Sequence, residues 1–333
     1  MIQSITTQIG DIIRGHQTFL VAGHFRPDGD VLACQIALGL TLQTLGKTVE
    51  VWNPDGMSRK YSFLPHADLV RKPPSQARAF DVVIAVDTAT QDRLGNIRER
   101  IASQKVLVNL DHHASNGRFG DINWIEPKAA ASGELVHQLL RDNRWPITPA
   151  IAANLFIAIA TDTGSFQYSN TTPATLRTAA ELVEAGANVA ELSRQCFGSY
   201  PLARVRLLQL ALAGMKLSAD NRIGWLWLTK EMYRQSNALP EDSEGLIDHV
   251  RAIDSVLVAA VFEQDDSGNV RISLRSKSDK IDVNKIAAQF GGGGHAAAAG
   301  ARIPGEPAVV EAAALKAIEQ AVRTAGNSAA PPR

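Results

Sequence analysis

The chain has 333 residues, enough for two domains that each bury a core. Its 34 Lys and Arg balance 34 Asp and Glu, so no global charge is available to grip long duplex nucleic acid, and 45% hydrophobic residues exclude a disordered chain. No apolar run reaches the roughly 18 residues of a membrane span, and "MIQSITTQIGDIIRGHQ" lacks the basic start and apolar core of a secretory leader, so a cytoplasmic protein without a membrane partner is expected. Cys34 and Cys196 both sit in apolar surroundings and read as buried thiols, which suits the same reducing compartment.

In chain order, "TFLVAGH" (18–24) is a short apolar strand running into the acidic turn of "GHFRPDGDV". "DVLACQIALGLTLQTLG" (30–46) has helical spacing closed by Gly46. "KTVEVWN" reads as a strand, and "DVVIAVD" (81–87) and "KVLVNLD" (105–111) are continuous Val/Ile/Leu runs of the kind found in buried parallel strands. Helical patterns follow at 131–144, 149–161, 173–186 and 188–214. The stretch "SRQCFGSYPLARVRLLQLALAGMKL" has no linker composition and reads as a helical connector. A second strand and helix pattern runs through "IGWLWLT" (223–229), "SVLVAAVFEQ" (255–264) and "NVRISLRSKS" (269–278) to a glycine cluster, "GGGGHAAAAG" (291–300). The expected fold is α/β. A parallel-sheet domain with helices on both faces spans 1–190, a helical connector 191–215, a smaller α/β domain with a mixed sheet 216–326, and a frayed tail 327–333.

Three apolar strands end in polar groups: His24 with Asp28 and Asp30, then Asp87, then Asp111-His112-His113. In an open α/β sheet ligands bind beyond the carboxyl ends of strands, so these groups should converge. Taken singly, each has a bland explanation. A Pro-Asp-Gly turn is ordinary turn and cap chemistry, Asp87 could cap a turn, and the two histidines could be loop residues. Repetition at successive strand ends, with Asp162 closing an apolar helix in "ATDTGSFQYSN", argues for one joint site. A His/Asp set without cysteine suits a borderline-to-hard divalent cation such as Mn²⁺, with Mg²⁺, Co²⁺ and Zn²⁺ left open. Four aspartates with two or three histidines exceed what one ion needs, so two ions sharing a carboxylate is the economical arrangement. Such a pair, about 3.5–4 Å apart, serves displacement at phosphorus.

A glycine run without context is a hinge or a close-packed turn. Here "GGGGH" follows the helical "DVNKIAAQF" and precedes a small-residue strand, an arrangement that lets backbone N–H groups approach a phosphate. Arg275 on the preceding strand could add a bidentate grip, while Lys277, Lys280 and Lys285 nearby are as well explained by solvated surface.

"HFRPDGD", Asp87 in "VDTATQDRLG", "DHHASN" and "ATDTG" stand in the order of the four motifs of the DHH phosphoesterase superfamily. "SLRSK" with "GGGGHAAAAG" resembles the DHH-associated domain, and over nearly its full length the chain is similar to the bacterial nanoRNase/pAp-phosphatase branch. The resemblance implies two divalent cations, Mn²⁺ first and Mg²⁺ or Co²⁺ as substitutes. His24, Asp28 and Asp87 would hold one, and Asp30, Asp87, His112 and Asp162 the other, with Asp87 as the bridge. His113 would face the scissile phosphate and assist the leaving group, and an activated water would be the nucleophile. Arg26 stands where the family often has Asn, at a position that supplies no ligand.

The resemblance also implies that Arg275, Gly292, Gly293, Gly294 and His295 bind the substrate. An anchor for a terminal phosphate favours substrates a few nucleotides long. The expected activity is hydrolysis of short oligoribonucleotides to mononucleotides, together with dephosphorylation of pAp, in a chain that could form a homodimer. A phosphodiesterase for linear or cyclic dinucleotides would use the same groups. A manganese pyrophosphatase would carry a highly basic motif where this chain has "SLRSK", and a processive exonuclease would need further nucleic-acid-binding modules. A non-catalytic nucleotide-binding protein would not need every candidate ligand in competent form, as here.

Overall fold

The computed structural model describes residues 4–265 and 268–327, with side chains up to residue 325. Residues 328–333, most of the expected frayed tail, lie outside the described residues. The chain divides into two compact units, Met1–Ser199 and Tyr200–Arg333.

The first unit opens with α1 (Ile5–Gly15), β1 (Thr18–Ala22), α2 (Gly29–Thr44), β2 (Thr48–Trp52) and β3 (Val70–Arg71). It continues with β4 (Arg78–Ala79), β5 (Val82–Val86), β6 (Ile101–Ser103), β7 (Val106–Asp111) and β8 (Ile122–Ile125). Four helices close it: α3 (Ser132–Asp142), α4 (Pro149–Asp162), α5 (Pro173–Glu184) and α6 (Val189–Phe197). Six strands form one sheet in the order β3-β2-β1-β5-β7-β8, and all its pairings are parallel. The chain starts in the middle, runs outward through β2 and β3, and returns to the other side of β1 as β5. The order therefore reverses between β1 and β5, and the carboxyl ends of those two strands flank a crevice.

Side chains alternate across this sheet. Phe19 and Val21 of β1 and Val82, Ile84 and Val86 of β5 face a core built with α1 to α6. Leu20, Ala22, Val83 and Ala85 face the other side, which is covered by Phe80 and by Leu94 and Ile97 of a 3₁₀ segment, Gln91–Arg100. The cover expected on both faces is thus α-helical on one and 3₁₀ on the other. Helices α2 and α4 are apolar nearly all round because they pack against each other beneath the sheet, and Ala152 to Ala160 of α4 are all buried.

The second unit contains α7 (Leu202–Ala213), β9 (Lys216–Leu217), β10 (Ile223–Leu228), α8 (Lys230–Ser236), α9 (Leu246–Arg251) and β11 (Val258–Gln264). After these come β12 (Val270–Ser276), α10 (Val283–Ala288), β13 (Gly293–Gly294), β14 (Ala298–Ile303) and α11 (Pro307–Asn327). Its sheet, β13-β14-β12-β11-β10-β9, is mixed: β10 and β11 are parallel and the other pairings antiparallel. Val258, Ala260 and Phe262 of β11 pack with residues of α10 and α11, and Ala259 and Val261 with residues of α7 and α9. The stretch 188–214, read as one helical pattern, is two helices. Gly198 closes α6, Pro201 precedes α7 and cannot continue a helix from its N-terminal side, and the boundary between units falls there.

Candidate metal centre

Every carboxylate and imidazole expected at the cation site lies beyond the carboxyl end of a strand or at a helix end of the first unit. Asp28 is the N-cap of α2, its side chain accepting from Val31 N, and Asp30 is in the first turn of that helix. Asp87 follows β5 in a left-handed backbone conformation, φ 51°, which is costly for a residue with a Cβ and aims its carboxylate across the crevice. Asp111 ends β7, His112 and His113 follow it, and Asp162 ends α4.

The groups meet on Asp87. His24 Nε2 is 3.5 Å from Asp87 Oδ2, and His112 Nε2 is 3.6 Å from Asp87 Oδ1. His112 Nε2 is also 3.1 Å from Asp162 Oδ2 and 4.0 Å from Asp30 Oδ2. Asp87 belongs to three donor triplets, His24/Asp28/Asp87, Asp30/Asp87/His112 and Asp87/Asp111/His113, each with its ligand atoms within 4.8 Å of one another. All six residues expected as ligands, and His113, are brought together. His113 Nδ1 lies 3.7 Å from Asp87 Oδ1 and 2.6 Å from Asp111 Oδ1.

The surrounding backbone holds these carboxylates in place. Asp30 accepts from the N–H groups of Ser132 (2.7 Å) and Gly133 (3.0 Å), buried donors at the start of α3 that have no partner within the helix, and from Cys34 Sγ (3.2 Å). Ser132 Oγ donates to Asp87 Oδ1 at 2.9 Å. Asp111 Oδ1 accepts from the N–H groups of His112 and His113, and its Oδ2 from Asn116 Nδ2 at 2.6 Å. His112 Nδ1 is 3.2 Å from Ala129 O, a contact that turns Nε2 toward the carboxylates. Sequence reasoning missed the roles of Ser132, Asp111 and Asn116.

Electrostatics follow from burial. Burial and the neighbouring Asp87 carboxylate raise the Asp28 carboxyl to about 6, and burial with Asp87 and Asp162 pushes Asp30 well above its usual range. Asp87 is also penalised by burial, but the hydrogen bond from His24 and the charges of His113 and His112 outweigh that and hold it well below the usual carboxylate range. His112 is raised well above an ordinary imidazole because Asp162, Asp87 and Asp30 outweigh its burial, and His113 is raised because Asp111 and Asp87 do so. Among the described residues no Lys or Arg pairs with Asp28, Asp30, Asp87 or Asp162; their charged partners are imidazoles. Buried carboxylates in that number are costly without a compensating cation. The donors, carboxylate oxygen and imidazole nitrogen, match hard-to-borderline divalent ions. Cys34 is no ligand: burial and Asp30 push its thiol well up, and its sulfur donates to Asp30.

Comparison with known proteins bears on the same segments. The model of the DHH family, N-terminal domain, matches residues 18–159, and that of the DHHA1 domain matches residues 227–324. The bifunctional oligoribonuclease and PAP phosphatase NrnA of Thermus thermophilus is 31% identical over 285 residues, 86% of this chain and 84% of that protein. The chain belongs to the DHH family. The Bacillus subtilis protein described by the same words is 26% identical over 89% of this chain and 93% of its own length. In fold, an exopolyphosphatase-related protein from Bacteroides fragilis superposes with a TM-score of 0.85 at 24% identity, covering 97% of this chain and 96% of that one.

In the second unit, Arg275 on β12 lies opposite Ala298 of β14, at the foot of the hairpin that carries His295. Its Nη1 donates to Leu274 O at 3.0 Å. The glycine cluster differs from a loop of open N–H groups. Gly292 N donates to Ala287 O, His295 N to Ala298 O, and Gly293 and Gly294 form strand β13. Glycine is needed for packing: a Cβ on Gly292 would stand 2.2 Å from Gly300 O, and one on Gly294, whose φ is 148°, 2.5 Å from Ala298 O. Lys277 is occupied at the carbonyls of Ile253 and Asp254. Among the described residues no helix is long and apolar enough to cross a membrane.

Proposed function

We propose that this chain is a metal-dependent phosphoesterase that hydrolyses short oligoribonucleotides to mononucleotides and removes the 3′-phosphate of pAp. The observation that carries the reading is the set of donor triplets sharing Asp87, in a family whose relatives at 26–31% identity are named for those two activities. His24, Asp28 and Asp87 are assigned to one cation, and Asp30, Asp87, His112 and Asp162 to the other, with Mn²⁺ the preferred occupant. When bound, such ions supply charge for an in-line displacement at phosphorus and make water a stronger acid. The chain's own residues do the rest. Asp87 would be shared by the two cations; Ser132 and the start of α3 fix the orientation of Asp87 and Asp30. His113, held through Nδ1 by Asp111, presents Nε2 to deliver a proton to the leaving oxygen.

In the second unit Arg275 and His295 are assigned to a phosphate of the substrate, with Gly292, Gly293 and Gly294 keeping the hairpin backbone low enough for close approach. The test uses metal-stripped protein incubated with 5′-labelled RNAs of two, five and twenty-four nucleotides, with pAp, and with a cyclic dinucleotide, with and without Mn²⁺. Release of mononucleotide that needs Mn²⁺, favours the short RNAs and is lost in Asp87→Ala supports the proposal. Intact RNA alongside consumed cyclic dinucleotide would overturn the substrate and leave the metal site standing. Retention of RNA without turnover would point to a binding protein.

A further inference from the structure

Of the four aspartates assigned to the cations, Asp28, Asp30 and Asp87 each accept a hydrogen bond from a backbone N–H or a hydroxyl, and Asp162 accepts none among the described residues. Its near partner is His112 Nε2 at 3.1 Å, and its side chain is 25% exposed where those of Asp30 and Asp87 are 0% and 2% exposed. The place of this carboxylate therefore depends on the main chain at the end of α4.

Carbonyls at a helix end have no partner within the helix. Asp162 O finds one donor among the described residues, Nδ2 of the half-buried Asn170, at 3.1 Å. The same nitrogen donates to Ala130 O, also at 3.1 Å. An amide nitrogen carries two N–H groups, so each carbonyl receives one. The loop that brings Asn170 back to α4 passes through left-handed backbone at Gly164, Ser165 and Phe166, with φ 57°, 60° and 63°. It is closed by Phe166 N on Thr163 Oγ1 and by Tyr168 N on Thr163 O. Left-handed backbone at two residues with a Cβ persists only where surrounding contacts impose it.

Ala130 lies in the segment that holds the other residues assigned to the same cation as Asp162. Ala129 O is 3.2 Å from His112 Nδ1, Ser132 and Gly133 donate through their N–H groups to Asp30, and Ser132 Oγ donates to Asp87. Asn170 thus ties the main chain of Asp162 to the segment that orients His112, Asp30 and Asp87. We propose that Asn170 is a positioning residue for that cation: its amide fixes Asp162 against the three other ligands. The inference rests on the proposed metal site and gives a task to a residue outside the ligand set. A leucine of similar volume fills the same place and ties neither carbonyl.

The test is titration of Mn²⁺ into metal-stripped full-length protein, followed by the electron paramagnetic resonance of free Mn²⁺, in wild type, Asn170→Leu, Asp162→Ala and the double variant. Asn170→Leu should weaken one of the two Mn²⁺ equivalents by roughly 10- to 100-fold. With Asp162→Ala already present, the same substitution should change the remaining Mn²⁺ affinity by no more than about twofold, because the carboxylate it positions is gone. Unchanged affinity in Asn170→Leu overturns the inference, since the side chain then only fills space. Equal losses with and without Asp162 overturn it as well, since they reveal a general structural role. Should Asn170→Leu fail to fold, Asn170→Ser, with one donor on a shorter arm, takes its place under the same criteria. Wild-type protein that binds no Mn²⁺, or Asp162→Ala that binds it as wild type does, would instead overturn the metal-site reading beneath the inference.

Discussion

The hydroxyl of Ser132 donates to Asp87 Oδ1 at 2.9 Å across 45 residues of sequence, while the backbone N–H of the same residue holds Asp30 at 2.7 Å. One residue at the start of α3 therefore orients two carboxylates assigned to the same cation. Ser132→Ala removes the bond to Asp87 and leaves the backbone bond to Asp30. Outer hydrogen bonds of this kind typically contribute about 10- to 100-fold to metal affinity. We expect the Mn²⁺ affinity of Ser132→Ala to fall by about tenfold, measured by titration of the stripped protein, with little change in its metal-free melting temperature. An unchanged affinity would show that the left-handed backbone at Asp87 orients its carboxylate without help.

Asp28 illustrates stability given up for binding. Without a cation its carboxyl is raised to about 6 from an ordinary 3.8 by burial and by Asp87. That difference corresponds to a cost of about 3 kcal/mol for the ionised form at pH 8. Asn keeps the N-cap bond to Val31 N and removes the charge. Asp28→Asn in chelator should therefore melt higher than wild type at pH 8, by up to that amount of free energy. Mn²⁺ should raise the melting temperature of wild type more than that of the variant, which keeps the ligands of the second cation. A variant that melts lower than wild type in chelator would contradict this account.

The reach of the sequence in this protein has a physical limit. Strands β5 and β7 are legible because both their faces are covered, which demands runs dominated by Val, Ile and Leu, and the cation cluster is legible because these runs stop at Asp or His. Strand β8, "INWI", is four residues long and only Trp124 in it is buried, so it leaves no pattern. The break at Gly198–Pro201 is signalled by that glycine and proline, and the reading of one helix over 188–214 followed the apolar spacing past them. Ser132 reads as an ordinary helix-start residue; what makes it a support for Asp87 is a contact that only the fold creates, by bringing the start of α3 to the residue after β5. The glycine cluster was legible as a tight turn, whereas the pairing of Gly293 and Gly294 with β14 depends on a strand that follows it.

The pH dependence of the metal-free protein has a definite sign. Asp28 and Asp30 have folded-state values above their unfolded ones, so folding takes up protons and stability falls as pH rises from about 3.8 through 6. His112 and His113 are raised too, and their contribution, full below about 6.5, is lost as pH climbs through their folded values. Asp87, held low, acts in the opposite sense only below its ordinary 3.8. Chelated protein should thus be more stable at pH 5 than at pH 8. Divalent cations compete with those same protons, so the rise in melting temperature caused by Mn²⁺ should grow over that interval. Denaturant melts at both pH values, with and without Mn²⁺, check it; a Mn²⁺ effect independent of pH would mean that these groups are not the ligands.

His113 allows the proposed proton transfer to be separated from the electrostatic part of catalysis. Its Nδ1 is engaged by Asp111 Oδ1 at 2.6 Å, and Asp111 is fixed by Asn116 and by two backbone N–H groups, so the ring is held in one orientation. His113→Gln should lower kcat on a ribodinucleotide by roughly 10²- to 10⁴-fold, the usual range for a lost general acid. Mn²⁺ affinity should hold, because His113 supplies no ligand in the proposed set. A nitrophenyl phosphodiester releases an anion that needs no proton, and on that substrate the same variant should lose far less. Equal losses on both substrates would assign His113 to binding the phosphate and would leave the leaving oxygen to take its proton from water.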